Sequence, residues 1–243
     1  MSDPLVLCYH AISPQWPAAL SVTQEALERQ LALLTRRGFT GTTFTRAALD
    51  RPNAKTLCVT FDDAFASVLA LGRPVLDSLG LKGTVFAPTD FVSEERLRWP
   101  GVDHWLSTQH AHELMPMTWE QLQELAADGW EIGSHTQSHP HLTRLRDGPL
   151  GAELRESRRE LHARLGFFPT SIAYPYGDVD TRVARGAQDA GYLAGAGLSS
   201  RLTWLGPLRS PRVGVYHGDR AVRFKAKVSP AVRRLRGSRL WRR

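Results

Sequence analysis

Short apolar runs recur along this chain at about 4–9, 56–61, 83–87, 130–134, 171–174, 192–196 and 209–215, and stretches with helical spacing separate most of them. No other feature limits the fold so strongly. Strands that alternate with helices pair in parallel, because each helix carries the chain back along the sheet before the next strand begins. The 243 residues, 42% of them hydrophobic, suffice for a single α/β domain with a large core, and neither an internal repeat nor a low-complexity linker divides them. Residues 90–117 break the alternation. Trp99, His104, Trp105, His110 and His112 fall there without a clear period, as expected of an insertion on the rim of such a fold.

Two of the runs end in groups capable of chemistry. Residues 57–61 read as a buried strand whose start is punctuated by Pro52, Asn53 and Lys55, and Asp62 and Asp63 stand at its carboxyl end. Helical spacing at Phe65, Val68, Leu69 and Leu76 follows over 64–79, interrupted by Gly72 and Pro74. Parallel α/β folds bind ligands at the carboxyl ends of their strands. One Asp there can serve as a helix N-cap; two are harder to explain that way. Residues 130–134 form a second such strand, entered from a helix at about 118–128 that Gly129 ends, and His135 and His139 leave it. A lone buried His is commonly just a hydrogen-bonded core residue. Two imidazoles and one carboxylate together, however, make a three-ligand set with a position left open for water, the arrangement of catalytic zinc sites. The residue types suggest a metal-dependent hydrolase in which the remaining Asp is free to act as a base.

Thr60-Phe61-Asp62-Asp63, the His135-x-x-Ser138-His139-Pro140-x-Leu142 stretch and Ala173-Tyr174-Pro175-Tyr176-Gly177 resemble, in order and separation, the three leading motifs of the polysaccharide deacetylase family. That family is also called the NodB-homology or carbohydrate esterase family 4 domain. Leu5-Val6-Leu7-Cys8-Tyr9-His10 is similar to the opening strand of many members that act on bacterial surface glycans. The resemblance covers about residues 4–215 and implies an α/β fold, a distorted (β/α)7-type barrel forming one catalytic domain over 1–219. It implies removal of an N-acetyl group from an acetamido sugar, with Asp63, His135 and His139 holding one divalent metal ion, zinc first and cobalt or nickel as alternatives. It further implies that Asp62 is the general base and that the Tyr176 backbone N–H is an oxyanion donor, aimed by a turn that Pro175 and Gly177 shape. The chemistry agrees, since a metal lowers the pKa of water from ~16 towards ~7 and polarises the acyl carbonyl.

The departures from the pattern carry their own expectations. Ala173 stands where many members have the Arg that orients the base, so another group must hold Asp62. Arg212 is the candidate, because a guanidinium grips a carboxylate in fixed geometry. The family's late Leu-x-His motif is not evident, yet a departing amine needs a proton donor, and general acid catalysis contributes ~100-fold to ~10,000-fold. His10 and His217 are the candidates, with His10 expected nearer the site. Pro175, Arg212 and Trp105 are grouped as the substrate-side residues, Trp105 because aromatic faces suit pyranose rings.

Charge is unevenly spread. Residues 220–243 hold ten of the 31 Lys and Arg and no Asp or Glu, so the preceding residues, with 21 basic against 24 acidic, are net acidic. This segment, with a helix start at Ser229-Pro230 and apolar residues that include Leu240 and Trp241, reads as a basic tail in peripheral contact with an anionic membrane, or as a solvated terminus. No nucleic-acid module is recognisable. Residues 1–20 lack a cationic start followed by a long apolar stretch, and no run of ~20 apolar residues occurs, so a cytoplasmic enzyme at the inner membrane face is expected. Cys8 and Cys58 are expected to be core thiols. The expected partner is an acetylated carbohydrate, such as a nucleotide- or polyprenyl-linked acetamido sugar. An O-acetyl ester or non-sugar amide is the alternative substrate, and a non-catalytic glycan-binding or membrane-associated protein is the alternative class. The sequence carries no signal of oligomeric state.

Overall fold

The computed structural model describes residues 4–52, 55–238 and 241; Asn53 of the expected strand start and Arg239, Leu240, Arg242 and Arg243 of the expected tail lie outside them. The chain opens with β1 (Leu5–Tyr9), β2 (Ala11–Ile12), β3 (Ser21–Val22), α1 (Gln24–Arg36), β4 (Thr40–Thr42), α2 (Phe44–Asp50) and β5 (Thr56–Phe61). A π-helical turn at Val68–Gly72 runs into α3 (Arg73–Ser78), followed by β6 (Gly83–Ala87). The insertion contains only short 3-10 turns, at Thr89–Phe91, Asp103–Ser107 and Ala111–Leu114, before α4 (Trp119–Ala127) and β7 (Glu131–Ser134). Then come α5 (Asp147–Leu165), β8 (Ser171–Ala173), α6 (Thr181–Asp189), β9 (Ala194–Gly197), β10 (Ser210–Pro211), β11 (Val213–Gly214), α7 (Ala221–Val228) and α8 (Pro230–Gly237).

All ladders of the main sheet are parallel, in the order β10-β9-β8-β7-β6-β5-β1-β11, with β4 beside the first half of β5. β10 and β11 are two ends of one stave. Ser210 and Pro211 pair with Ala196 and Gly197 of β9, whereas Val213 and Gly214 pair with Leu7 and Cys8 of β1. This stave joins the two ends of the sheet into a seven-stave barrel, broken at Arg212. The distortion expected of the barrel lies at that break.

Side chains alternate between the two faces of each strand. Leu5, Leu7 and Tyr9 of β1 and Leu57, Val59 and Phe61 of β5 join Leu27, Leu31 and Leu34 of α1 in the main core. The alternate positions, Val6 and Cys58, cluster inside the barrel with Phe86, Ala173, Ala194 and Ala196, against Phe44, Ala47 and Ala48 of α2. The Phe44 N–H donates to Thr84 Oγ1 at 3.0 Å and the Thr45 N–H to Glu131 Oε2 at 2.9 Å, which lays α2 across the amino-terminal mouth, where β6 and β7 begin.

Three expectations need adjustment. Gly72 and Pro74 do not end the helical stretch: the π turn passes through Gly72 and runs directly into α3, which carries Pro74 in its first turn. By contrast α4 agrees with the sequence, held by a reciprocal capping box between Thr118 and Gln121. Nor does the chain after residue 219 stand apart as a tail. Phe224 and Val228 belong to the main core, Lys227 donates to the Asp219 carboxylate, and Arg233 donates to the Pro4 carbonyl at 2.7 Å. The sequence missed this because the cations mask a helix with one apolar face. The third is the rim insertion, where Trp99 rather than Trp105 is the ring in contact with His139, as described below.

The interior is narrow enough that glycine matters. A Cβ on Gly133 would lie 2.6 Å from the Phe86 ring and 2.7 Å from Ser171 Oγ. Gly133→Ala is therefore expected to lower the unfolding free energy by about 1–3 kcal/mol, the usual effect of overpacking. A shift of the urea midpoint at unchanged slope would measure it; an unshifted midpoint would contradict the packing described here.

Candidate active site

The predicted site residues emerge from carboxyl ends of neighbouring staves: His10 after β1, Asp62 and Asp63 after β5, His135 and His139 after β7, Tyr176 after β8. Asp62 continues the inward-facing series Cys58, Thr60, Asp62, and the break in the last stave turns Arg212 inward to meet it. The Arg212 guanidinium donates to both carboxylate oxygens, at 2.6 and 2.7 Å, and also to Thr60 Oγ1 at 3.0 Å and the Gly197 carbonyl at 3.3 Å. Arg212 thus holds Asp62, as expected. It is not a substrate-side residue, because its surface is 0% exposed. Burial by itself pushes the Asp62 pKa up, but Arg212 and nearby His135 outweigh it and bring it down to about 2. Asp62 is therefore an ionised, immobilised acceptor at neutral pH.

Sequence reasoning missed a further contact. Cys8, read as an inert core thiol, donates its S–H to Asp62 Oδ2 at 3.4 Å. The period-two pattern of β1 carried the signal, since Cys8 shares the inward parity of Val6. Cys58 is a buried free thiol. Cys8, His10 and Asp62 also place one ligand atom each within 4.8 Å of one another, but both Asp62 oxygens are already engaged by Arg212.

Asp63, His135 and His139 form a second such group, also within 4.8 Å and buried. Asp63 Oδ1 lies 3.3 Å from both Nε2 atoms yet has no hydrogen-bond partner among the described residues. A buried carboxylate oxygen without a partner is costly. Three donor atoms converging on one point are what a cation in that position would coordinate, and this donor set fits a divalent metal. His135 Nδ1 lies 2.8 Å from the Ala173 carbonyl, which fixes the proton on that nitrogen and leaves Nε2 as a lone-pair donor. Burial alone would lower the His135 pKa, but Asp62 and Asp63 outweigh it and raise it; for His139 burial dominates and lowers it. Asp63 is raised by burial, and the two imidazoles outweigh this and hold it well below the usual carboxylate range.

The backbone is strained where these groups sit. Of seven non-glycine residues with left-handed φ among the described residues, Asp63, Ala64, Thr136, His139 and Tyr176 are five, at φ of 70°, 51°, 68°, 59° and 60°. Such residues cost about 1–3 kcal/mol each and persist where the surroundings over-determine them. Glu153 of α5 does much of this for the 135–139 loop, accepting from the Gln137 and Ser138 N–H groups at 2.9 and 3.0 Å and from the Ser138 hydroxyl at 2.6 Å.

The remaining predicted residues fall as follows. His10 is buried beside Asp62, and burial lowers its pKa. His217 is exposed, its Nδ1 3.4 Å from Ser21 Oγ, and belongs to neither ligand group. Pro175 is buried in the turn that Tyr176 completes. The Tyr176 ring stacks on His141 at 3.9 Å and meets the edge of His139 at 4.7 Å, while its hydroxyl donates to the Pro100 carbonyl. Trp105, expected as a sugar platform, packs against Trp16, His104 and His110, none of them in the ligand groups. Trp99 instead stacks on His139 at 4.2 Å. Trp99 and Trp105 were indistinguishable in sequence because the insertion has no periodicity to orient them.

Residues 50–195 match the family model for polysaccharide deacetylase. The chain belongs to the polysaccharide deacetylase family. YxkH of Bacillus subtilis is 27% identical over 78% of this chain and 62% of its own length. Peptidoglycan-N-acetylglucosamine deacetylase PgdA of Listeria monocytogenes is 29% identical over 55% of this chain and 24% of its own. The chain thus spans less than two thirds of the length of either relative. In fold it is similar to the Streptococcus pyogenes deacetylase PplD, with a TM-score of 0.77 at 21% identity over 95% of this chain and 99% of that one. IcaB from Ammonifex degensii gives 0.76 at 22% identity over 94% and 97%.

Removing Arg212 leaves a buried carboxylate unpaired. Arg212→Met is expected to destabilise the protein by about 3–5 kcal/mol, and the double variant with Asp62→Asn to recover a large part of that loss. Urea titrations of both singles and the double give the coupling energy; additive losses would show that the pair is not the interaction described.

Proposed function

We propose that the protein hydrolyses the N-acetyl amide of an acetamido sugar, and that zinc is the metal it uses. One observation carries the reading: an immobilised, ionised carboxylate, Asp62, stands beside a separate three-donor set that fits a divalent ion. Two adjacent acids thus have different tasks. Asp63 is committed to the ion, and Asp62 is kept out of coordination because Arg212 occupies both of its oxygens. The ion when bound supplies Lewis acidity to water and to the acyl oxygen.

The chain's own groups supply the rest. Asp62 accepts the proton of the attacking water. The left-handed turn at Tyr176 presents that residue to the acyl group, and its N–H is the expected donor to the developing oxyanion. His10, neutral at pH 7 because burial lowers its pKa, acts as an acid only after taking up a proton, and nearby Asp62 is the group that collects one. The proton taken from water then reaches the departing amine through His10, so the cycle returns both residues to their starting states. Stacked Trp99 and half-exposed Tyr176 form one wall of the approach, with apolar ring faces suited to a pyranose. Membership in this family and the name of the relative PgdA support an N-acetylglucosamine unit as the sugar.

Asp62→Asn is expected to lower acetate release from N-acetylglucosamine oligomers at least ~100-fold with metal content unchanged. His135→Ala and Asp63→Ala are expected to lose both. Elemental analysis with an acetate assay measures the two. Full activity in Asp62→Asn would remove the base from the mechanism, and acetate released from O-acetyl but not N-acetyl sugars would make the protein an esterase.

A further inference from the structure

We infer that His141 is a positioning residue, whose ring clamps the Tyr176 turn and so keeps the Tyr176 N–H aimed at the developing oxyanion. The inference rests on the reaction proposed above. It begins from a conformation that needs support. Tyr176 (φ 60°) and Gly177 (φ 69°) are successive left-handed residues, and only the second is a glycine. A left-handed residue with a side chain is unfavourable by itself and persists only where its surroundings over-determine it. Two backbone hydrogen bonds close the turn, from the Gly177 N–H to the Tyr174 carbonyl at 2.8 Å and from the Asp178 N–H to the Pro175 carbonyl at 3.1 Å. Neither uses the Tyr176 N–H, the group that has to meet the substrate.

The side chain supplies the rest of the support. Tyr176 is 41% exposed, so burial in the core does not fix it. Its ring lies face to face with His141, the centroids 3.9 Å apart and the planes at 14°, and meets the edge of His139 at 4.7 Å. The hydroxyl donates to the Pro100 carbonyl at 3.2 Å. His141 is itself held from the same turn. Its Nδ1 lies 3.5 Å from Asp178 Oδ2, and the Thr143 hydroxyl donates to that oxygen as well. Asp178 directly follows the turn. A closed circuit of contacts therefore runs from the Tyr176 ring through His141 and Asp178 back to the Tyr176 backbone.

His141 stands one step away from the chemistry. It belongs to neither ligand group, yet it follows His139 by two residues, so the loop that carries two metal ligands is tied through it to the turn that carries the oxyanion donor. Such a donor is effective because it is in place before charge develops. Releasing the Tyr176 ring lowers the fraction of molecules in which the N–H is aimed, an effect felt in the transition state and therefore in kcat more than in KM. The clamp works by stacking of flat rings, not by charge. Phe can therefore take the place of His141, whereas Asn, which retains a polar group but no ring, cannot.

The test compares His141→Ala, His141→Asn and His141→Phe with the parent, each as the full metal-loaded chain. Acetate release from N-acetyl and from O-acetyl sugars gives kcat and KM. Chymotrypsin, which cuts after aromatic residues, reads the clamp without any reaction, through the rate of cleavage between Tyr176 and Gly177 followed by mass spectrometry. His141→Ala and His141→Asn are expected to lower kcat about fivefold to a hundredfold, the factor by which an unsupported left-handed residue is disfavoured. KM is expected to change less, metal content by elemental analysis to stay the same, and cleavage to accelerate. His141→Phe is expected to restore both kcat and protection. Unchanged cleavage in His141→Ala would overturn the clamp, and faster cleavage at unchanged kcat would overturn its part in positioning. Metal lost from the variants would overturn both, because the effect would then pass through His139. A parent that releases no acetate from either sugar, with cleavage still faster in His141→Ala and slowed again in His141→Phe, would overturn the reaction proposed above and uphold the clamp.

Discussion

The ion pair between Arg212 and Asp62 is the interaction around which this barrel is arranged. Two full charges inside a protein are a net burden unless geometry and extra hydrogen bonds offset their lost hydration. Here both carboxylate oxygens face the guanidinium, and Thr60, Gly197 and Cys8 take up the remaining donor and acceptor capacity. To bring Arg212 inward the last stave must break, and so it pairs with β9 on one side of the break and with β1 on the other. The guanidinium also lies 5.6 Å over Phe86, whose ring fits only because Gly133 has no side chain. Closure of the sheet, packing of the interior and ionisation of the proposed base are thereby one linked problem.

The rest of the site shows a second economy of design. Asp63, His135 and His139 are aimed at a common point by loops whose backbones lie in the left-handed region, and each such residue is unfavourable alone. The compensation comes from Glu153 on α5 and from the rings that surround His139: Trp99 face-on, Tyr176 and His135 edge-on. The insertion therefore shapes the metal-ligand side directly. It acts through Trp99 and through Pro100, whose carbonyl accepts from the Tyr176 hydroxyl.

The barrel has two unlike ends. The carboxyl end concentrates buried ionisable groups, and the amino end, crossed by α2, concentrates exposed Leu and Phe beside Arg and Lys. Core packing cannot account for the latter, since these side chains are not in the core.

Much of this was legible in the sequence. Short apolar runs alternating with helical segments determined a parallel α/β fold, and the seven runs became the seven staves, because alternation and apolar length are properties of the local chain. Asp62, Asp63, His135 and His139 were legible because each directly follows such a run, and strand ends are where a barrel collects its reactive groups. Arg212 was legible as a partner for Asp62 only through the vacancy at Ala173. The short strands β2, β3 and β4, the packing of α7 onto the core, the Cys8 thiol on Asp62, and the stacking of Trp99 on His139 were not legible. Each of these is decided by which side chains meet across distances of tens to hundreds of residues, as Arg212 meets Asp62 across 150. The sequence by itself thus determined which groups this protein has for chemistry and which strands carry them. The tertiary structure alone decided the geometry of those tasks, with Arg212 on both Asp62 oxygens and one Asp63 oxygen left without a hydrogen-bond partner among the described residues, because that depends on closure of the barrel at Arg212, and no local pattern encodes closure.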